Sequence, residues 1–73
     1  MFNERLFRAK VVLNGMTLGM VASQIGINDA TLQRKMKNNG SFNRDEIAKI
    51  AEILHLTGDE ILEIFFAVEL TET

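Results

Sequence analysis

Between Asn28 and Arg44 the sequence sets four bases, Arg34, Lys35, Lys37 and Arg44, against one acid, Asp29. From Asp45 onward the balance reverses, and Asp45, Glu46, Glu52, Asp59, Glu60, Glu63, Glu69 and Glu72 are opposed by Lys49 alone. The formal net charge of -2 therefore averages over a basic middle and an acidic end. A molecule charged in this way orients its basic face on a polyanion and turns its acidic end away, or toward another protein. The plainer reading of the same pattern is a set of solvated helix charges. Catalytic chemistry finds little to work with: there is no Cys or Tyr, and His55 is the only His. No nucleophile and base stand at a meaningful spacing, and the chain has no phosphate-cradling loop, dinucleotide turn or metal cluster. His55, near the end of a helix, suits the helix dipole, and the pair Asp59-Glu60 is explained by capping. Neither an enzyme nor a cofactor or metal is expected.

The elements that position the basic segment are legible from an elbow. Val21 and Ile25 lie four apart, Ala22 is small, Gly26 stands where a helix must stop, and Ile27 and then Leu32 open the apolar side of a second helix. Two helices meeting at a steep angle leave no room for a large side chain beside the turn, and Gly26 takes positive φ without steric cost. This is the layout of a helix-turn-helix, and it points to DNA before any other partner.

Turn signals at Gly15, Gly26, Asn38-Asn39-Gly40 and Thr57-Gly58 divide the chain into five helices, over about 3–14, 17–24, 28–37, 43–55 and 58–68. Thr17 and Asn28 read as N-caps, with Asp29 favourably placed in a first turn; Asn43 with Glu46, and Thr57 with Glu60, have capping-box spacing. In the first helix Leu6, Phe7, Val11 and Leu13 recur at helical spacing, and in the fourth Ile47, Ile50, Ala51, Ile53 and Leu54 form one stripe. No window alternates with period two, so the fold class is all-α, a single compact domain over 1–73. Met16, Met20 and Met36 are assigned to the core, and Phe2, Phe7 and Phe42 to core or rim. No apolar run approaches a membrane span and the charged N-terminal stretch is unlike a signal peptide, so a cytoplasmic protein is expected.

The fifth helix carries Ile61, Leu62, Ile64, Phe65, Phe66 and Val68, with Leu70 beyond, a wider apolar arc than one helix normally buries against its own domain. Leu62, Phe65, Phe66 and Leu70 are the candidate contacts to a partner or a second copy.

Five helices with the helix-turn-helix in the second and third resemble the lambda-repressor-like (Cro/XRE-type) domain. Gly15-Met16-Thr17, Ala22, Ile25-Gly26-Ile27, the run from Thr31 to Met36, Phe42, Asp45-Glu46-Ile47 and the run from Glu63 to Phe66 are similar to short single-domain regulators of Gram-positive phages and prophages. The resemblance implies that the third helix enters the major groove, with Asn28, Asp29, Ala30, Gln33 and Arg34 at base edges. Gln33 would pair with adenine, Arg34 with guanine, and the Ala30 methyl would meet a thymine methyl. It places the DNA backbone against Thr17, Thr31, Lys35, Lys37, Asn38, Asn39, Ser41 and Asn43. A Cro-like repressor on double-stranded operator DNA, acting as a homodimer on half-sites about one helical turn apart, is the first implied function. The second is a modulator or antirepressor that binds a repressor protein. Leu18, where many relatives have Gln, favours the second, as do Asp29 and the acidic, apolar C-terminal third.

Overall fold

A computed structural model of the chain describes residues 2–66. Five helices follow one another: α1 (Glu4–Leu13), α2 (Leu18–Ile25), α3 (Asp29–Lys37), α4 (Arg44–Ile53) and α5 (Gly58–Phe65). The described residues form no strand, so the all-α expectation holds.

Every helix begins with a side chain that replaces a missing intrahelical acceptor. Asn3, Thr17 and Asn28 accept from the amides of Leu6, Met20 and Thr31 at 3.1, 3.1 and 2.7 Å. The two spacings read as capping boxes close reciprocally. Asn43 accepts from the Glu46 amide at 2.8 Å while the Glu46 carboxylate accepts from Asn43 N–H at 2.9 Å. Thr57 and Glu60 repeat the exchange at 3.1 and 2.9 Å. Each such cap contributes about 1 kcal/mol of helix stability.

Four helix ends share another device, a left-handed residue that turns the chain so that the next amide reaches back five residues. Gly15 and Gly26 do this after α1 and α2, and Met16 and Ile27 N–H then donate to Val11 and Ala22 carbonyls at 3.0 Å each. After α3 the left-handed residue is Asn39, and after α4 it is His55. Leu56 N–H donates to the Ala51 carbonyl at 2.9 Å. The fourth helix therefore ends at Ile53, short of the expected residue 55, and His55 lies outside it. The fifth ends at Phe65 with Phe66 as its cap; residues 67 and 68 of the expected span lie outside the described residues.

The core takes one stripe from each helix: Phe7 and Val11, Val21, Ala22 and Ile25, Leu32 and Met36, Ile50, then Ile64 and Phe65, with Leu54 just past α4. Ala22 is fully buried at the elbow, where the sequence requires a small residue. Phe2, Phe42 and Phe65 form a triangle of rings with centroids 5.7 Å apart, and Phe2 also lies 5.5 Å from Phe7. Two assignments are corrected here. Met20 is 46% exposed and belongs to no core, because it falls on the outer side of α2, opposite Val21, Ala22 and Ile25. Leu13 is 76% exposed, since α1 has turned its last residue away from the stripe that Phe7 and Val11 bury.

Polar ties fix α1 against the rest. Lys10 donates to the Glu60 carboxylate, joining α1 to α5, and with the Thr57 amide it holds that carboxyl below the usual carboxylate range. Asn14 Nδ2 donates to the carbonyls of Lys10 and Leu54 at 2.8 and 3.1 Å, tying the ends of α1 and α4.

Candidate nucleic-acid interface

Helix α3 is anchored from one side and open on the other. Leu32 and Met36, one turn apart, are buried, which turns Ala30, Gln33, Arg34 and Lys37 to a common outer face at i, i+3, i+4 and i+7. Ala30, Arg34 and Lys37 are exposed and Gln33 is half-buried. Arg34 Nη2 donates to Thr31 Oγ1 at 3.3 Å, laying the guanidinium along the helix and leaving its other donors available. Asp29 is exposed at the first turn, where the positive end of the helix dipole favours a carboxylate. Asn28 spends its side-chain carbonyl on the Thr31 amide; its amide nitrogen is the group left to donate outward. Of the five residues expected at base edges, Ala30, Gln33 and Arg34 share the open face of α3, and Asn28 and Asp29 stand at its N-terminal end.

The eight residues expected at the DNA backbone divide into two groups. Lys37, Asn38 and Ser41 are exposed at the end of α3 and in the loop after it, and Asn38 Nδ2 reaches Ser41 Oγ at 3.4 Å. Thr17 is exposed at the start of α2, where the amides of Leu18 and Gly19 precede the first intrahelical bond, from Val21 N–H to the Thr17 carbonyl. Such a helix start favours an anion. Thr17 also caps α2, and the remaining four have internal work as well. Thr31 accepts from Arg34, Asn43 caps α4, and Asn39 accepts from the Phe2 amide at 3.1 Å. Lys35 Nζ lies 3.4 Å from the Glu46 carboxylate and 3.4 Å from the Ser41 carbonyl.

Lys35 is therefore a brace from α3 to the start of α4, a role that its sequence neighbourhood did not reveal. The pair Lys35 and Glu46 was hidden because the two are eleven positions apart and meet only through the loop. Gly40, at φ +69, is the hinge of that loop. A Cβ on it would stand 2.5 Å from the Cβ and two ring carbons of Phe2, so the N-terminal segment and the loop after α3 fit together only around a glycine.

Leu18 packs its side chain against the core, which accounts physically for an apolar residue where the resemblance places Gln. Of the four candidate partner contacts on α5, Leu62 and Phe66 are 39% and 54% exposed. Phe65 is corrected: it is 7% exposed and its ring packs on Phe2 and Phe42, because α5 turns it inward beside Ile64. Leu70 lies outside the described residues. Among the described residues no cluster of His, Cys, Asp or Glu could hold a metal ion, and no helix is long and apolar enough to cross a membrane.

A family model described as a Cro/C1-type HTH DNA-binding domain matches residues 11–66. The match takes in α2 to α5 whole and the end of α1. Comparison with curated proteins found no match. Comparison with solved structures found none either.

Proposed function

The chain belongs to the Cro/C1-type helix-turn-helix family and is a DNA-binding transcription regulator, and we propose that it acts as a Cro-like repressor of phage or prophage type. It sets α3 in the major groove of an operator and blocks polymerase there. The observation that carries this reading is the open face of α3: Ala30, Gln33, Arg34 and Lys37 stand clear of the core while Leu32 and Met36 fix the helix from behind. Gln33 and Arg34 read bases, Lys37, Asn38 and Ser41 hold phosphates on one side, and Thr17 with the α2 amides holds them on the other. One domain of this size makes few contacts, so a second copy joins it through Leu62 and Phe66 as a homodimer.

The experiment is a gel shift on the promoter region beside the gene, at two salt concentrations, with Arg34→Ala and Lys37→Ala. Arg34→Ala costs about 1–3 kcal/mol and relaxes preference at one base pair, whereas Lys37→Ala weakens all sequences alike and lowers the salt slope by about 0.9. Unchanged binding in both variants refutes the groove assignment. A second reading, a modulator that binds a repressor protein, rests on the exposed Leu62 and Phe66 beside acidic residues of α5. It predicts no shift by the protein alone and release of a neighbouring repressor's complex.

A further inference from the structure

Between Lys10 and Asp29 the chain has no charged side chain. That stretch holds the turn after α1 and the whole of α2, so a phosphate at Thr17 and the α2 amides meets no cation from its own segment. The fold brings one from α1. Arg8 lines a groove together with Val11, Val12, Met16, Thr17 and Leu18, and it is the only charged residue of that lining. Apolar walls beside a single sign of charge concentrate its field on an anion at the mouth. Arg8 is exposed, and its Nε donates to the Glu4 carboxylate at 2.8 Å. Among the described residues neither of its Nη groups has a partner, and a guanidinium binds a phosphate through two such parallel donors. The neighbouring bases are placed otherwise: Lys10 is engaged by Glu60, and Arg5 lies outside the groove lining.

We infer that Arg8 is a further phosphate-binding residue of this domain, its guanidinium closing from α1 on the DNA phosphate that lies at the start of α2. The inference rests on the DNA reading above and deepens it at one phosphate. Leu18 has no donor of its own for that phosphate, and Arg8 across the groove supplies several. The apolar walls have their use too, since they carry the aliphatic stem of Arg8 and leave its charged head at the rim. Glu4 competes with the phosphate for the same guanidinium, which sets the direction of its own substitution.

The test is a fluorescence-anisotropy titration of a labelled duplex of about two helical turns with the full chain, between about 50 and 200 mM salt. Phosphate contacts carry no sequence information, so a duplex of arbitrary sequence serves beside the promoter fragment. The variants are Arg8→Gln, Arg5→Gln, Glu4→Gln and Lys37→Ala, each checked for folding by circular dichroism. Arg8→Gln weakens binding to both duplexes and lowers the salt slope by about 0.9 per bound copy, as Lys37→Ala does. Arg5→Gln removes the same charge from the same helix and leaves the slope at the parent value. Glu4→Gln breaks the Arg8 pair without removing the cation, and binding is then at least as tight as in the parent. A slope lowered equally by Arg8→Gln and Arg5→Gln makes the effect one of net charge and overturns the contact. Glu4→Gln weakening binding as much as Arg8→Gln does also overturns it, because the pair then only steadies α1. An unaltered slope in Arg8→Gln, with a lowered one in Lys37→Ala, removes Arg8 and leaves the DNA reading standing. A parent that binds neither duplex removes both.

Discussion

Replacing Gly40 with Ala tests whether the loop after α3 is held by its fit to the N-terminal segment. Two costs arise from one methyl group. At φ +69 an L side chain is strained by about 1–2 kcal/mol, of which about 0.5–1 kcal/mol is returned because Ala has less freedom than Gly to lose on folding. The second cost is steric. The added Cβ stands 2.5 Å from three carbons of Phe2, far inside contact distance, and Phe2 has little room to retreat because its ring is held against Phe7, Phe42 and Phe65. Forcing an extra carbon into such a site costs about 1–3 kcal/mol. Together they destabilise the domain by about 2–4 kcal/mol, a large part of the stability of a chain this size.

Urea denaturation followed by circular dichroism reads this directly, and a double-mutant cycle separates the two causes. Phe2→Gly removes the Cβ and the ring that the methyl strikes, so in that background Gly40→Ala retains only its backbone cost, about 1 kcal/mol. A coupling of about 1–3 kcal/mol between the positions is expected. If Gly40→Ala costs the same with and without the Phe2 ring, the fit between loop and N-terminal segment does not hold the loop, and the argument for Gly40 fails.

Other perturbations address single contacts. His55→Gly removes a left-handed non-glycine residue after α4 and raises stability by up to about 1 kcal/mol, read as a rise in thermal midpoint; a fall shows that the His side chain contributes more than its strained backbone costs. Glu60 has its pKa held down in the folded state by Lys10 and the Thr57 amide, so its contribution is complete above its ordinary value of 4.5 and disappears as pH falls through the lower folded value. Glu60→Gln therefore flattens the acid limb of the stability profile, and a limb of unaltered steepness excludes the Lys10 pair as its source. Lys35→Gln lowers stability by about 0.5–1 kcal/mol and changes the salt slope of DNA binding less than Lys37→Ala does; equal slopes for the two variants make Lys35 a phosphate contact after all.

Local chemistry made the helix starts legible. Thr17, Asn28, Asn43 and Thr57 stand at fixed offsets from the amides they satisfy, so residue type and spacing suffice to find them. Gly15, Gly26 and Ala22 were readable for the same reason, each being demanded by backbone conformation or crowding within a few residues. His55 was not, because nothing in its type marks it for the left-handed region that the C-terminus of α4 requires. Phe65 and Met20 show a further limit. The period of a helix gives the width of its apolar arc, but which edge of the arc is buried depends on the neighbours, and the Phe2–Phe42 pair that captures Phe65 comes from segments more than twenty residues away in sequence. Lys35 belongs with them, since its partner Glu46 arrives only after the loop has closed.

The two surfaces built around these elements are separable. The α3 face depends on Leu32 and Met36 behind it and on the Lys35 brace beside it, while the α5 strip of Leu62 and Phe66 depends on Ile64 and Phe65 turning inward. Loss of Phe66 leaves Ile64, Phe65 and the ring triangle in place, and loss of Arg34 leaves the buried side of α3 untouched. A defect in DNA binding caused by Phe66→Ser with α3 intact is thus a defect of assembly, and it is restored by raising protein concentration. A defect caused by Arg34→Ala is a loss of contacts at each site, and the same rise in concentration shifts occupancy without restoring preference for the altered base pair. The concentration dependence of the two defects therefore distinguishes a chain that reads DNA and assembles on it from one whose α3 face takes no part.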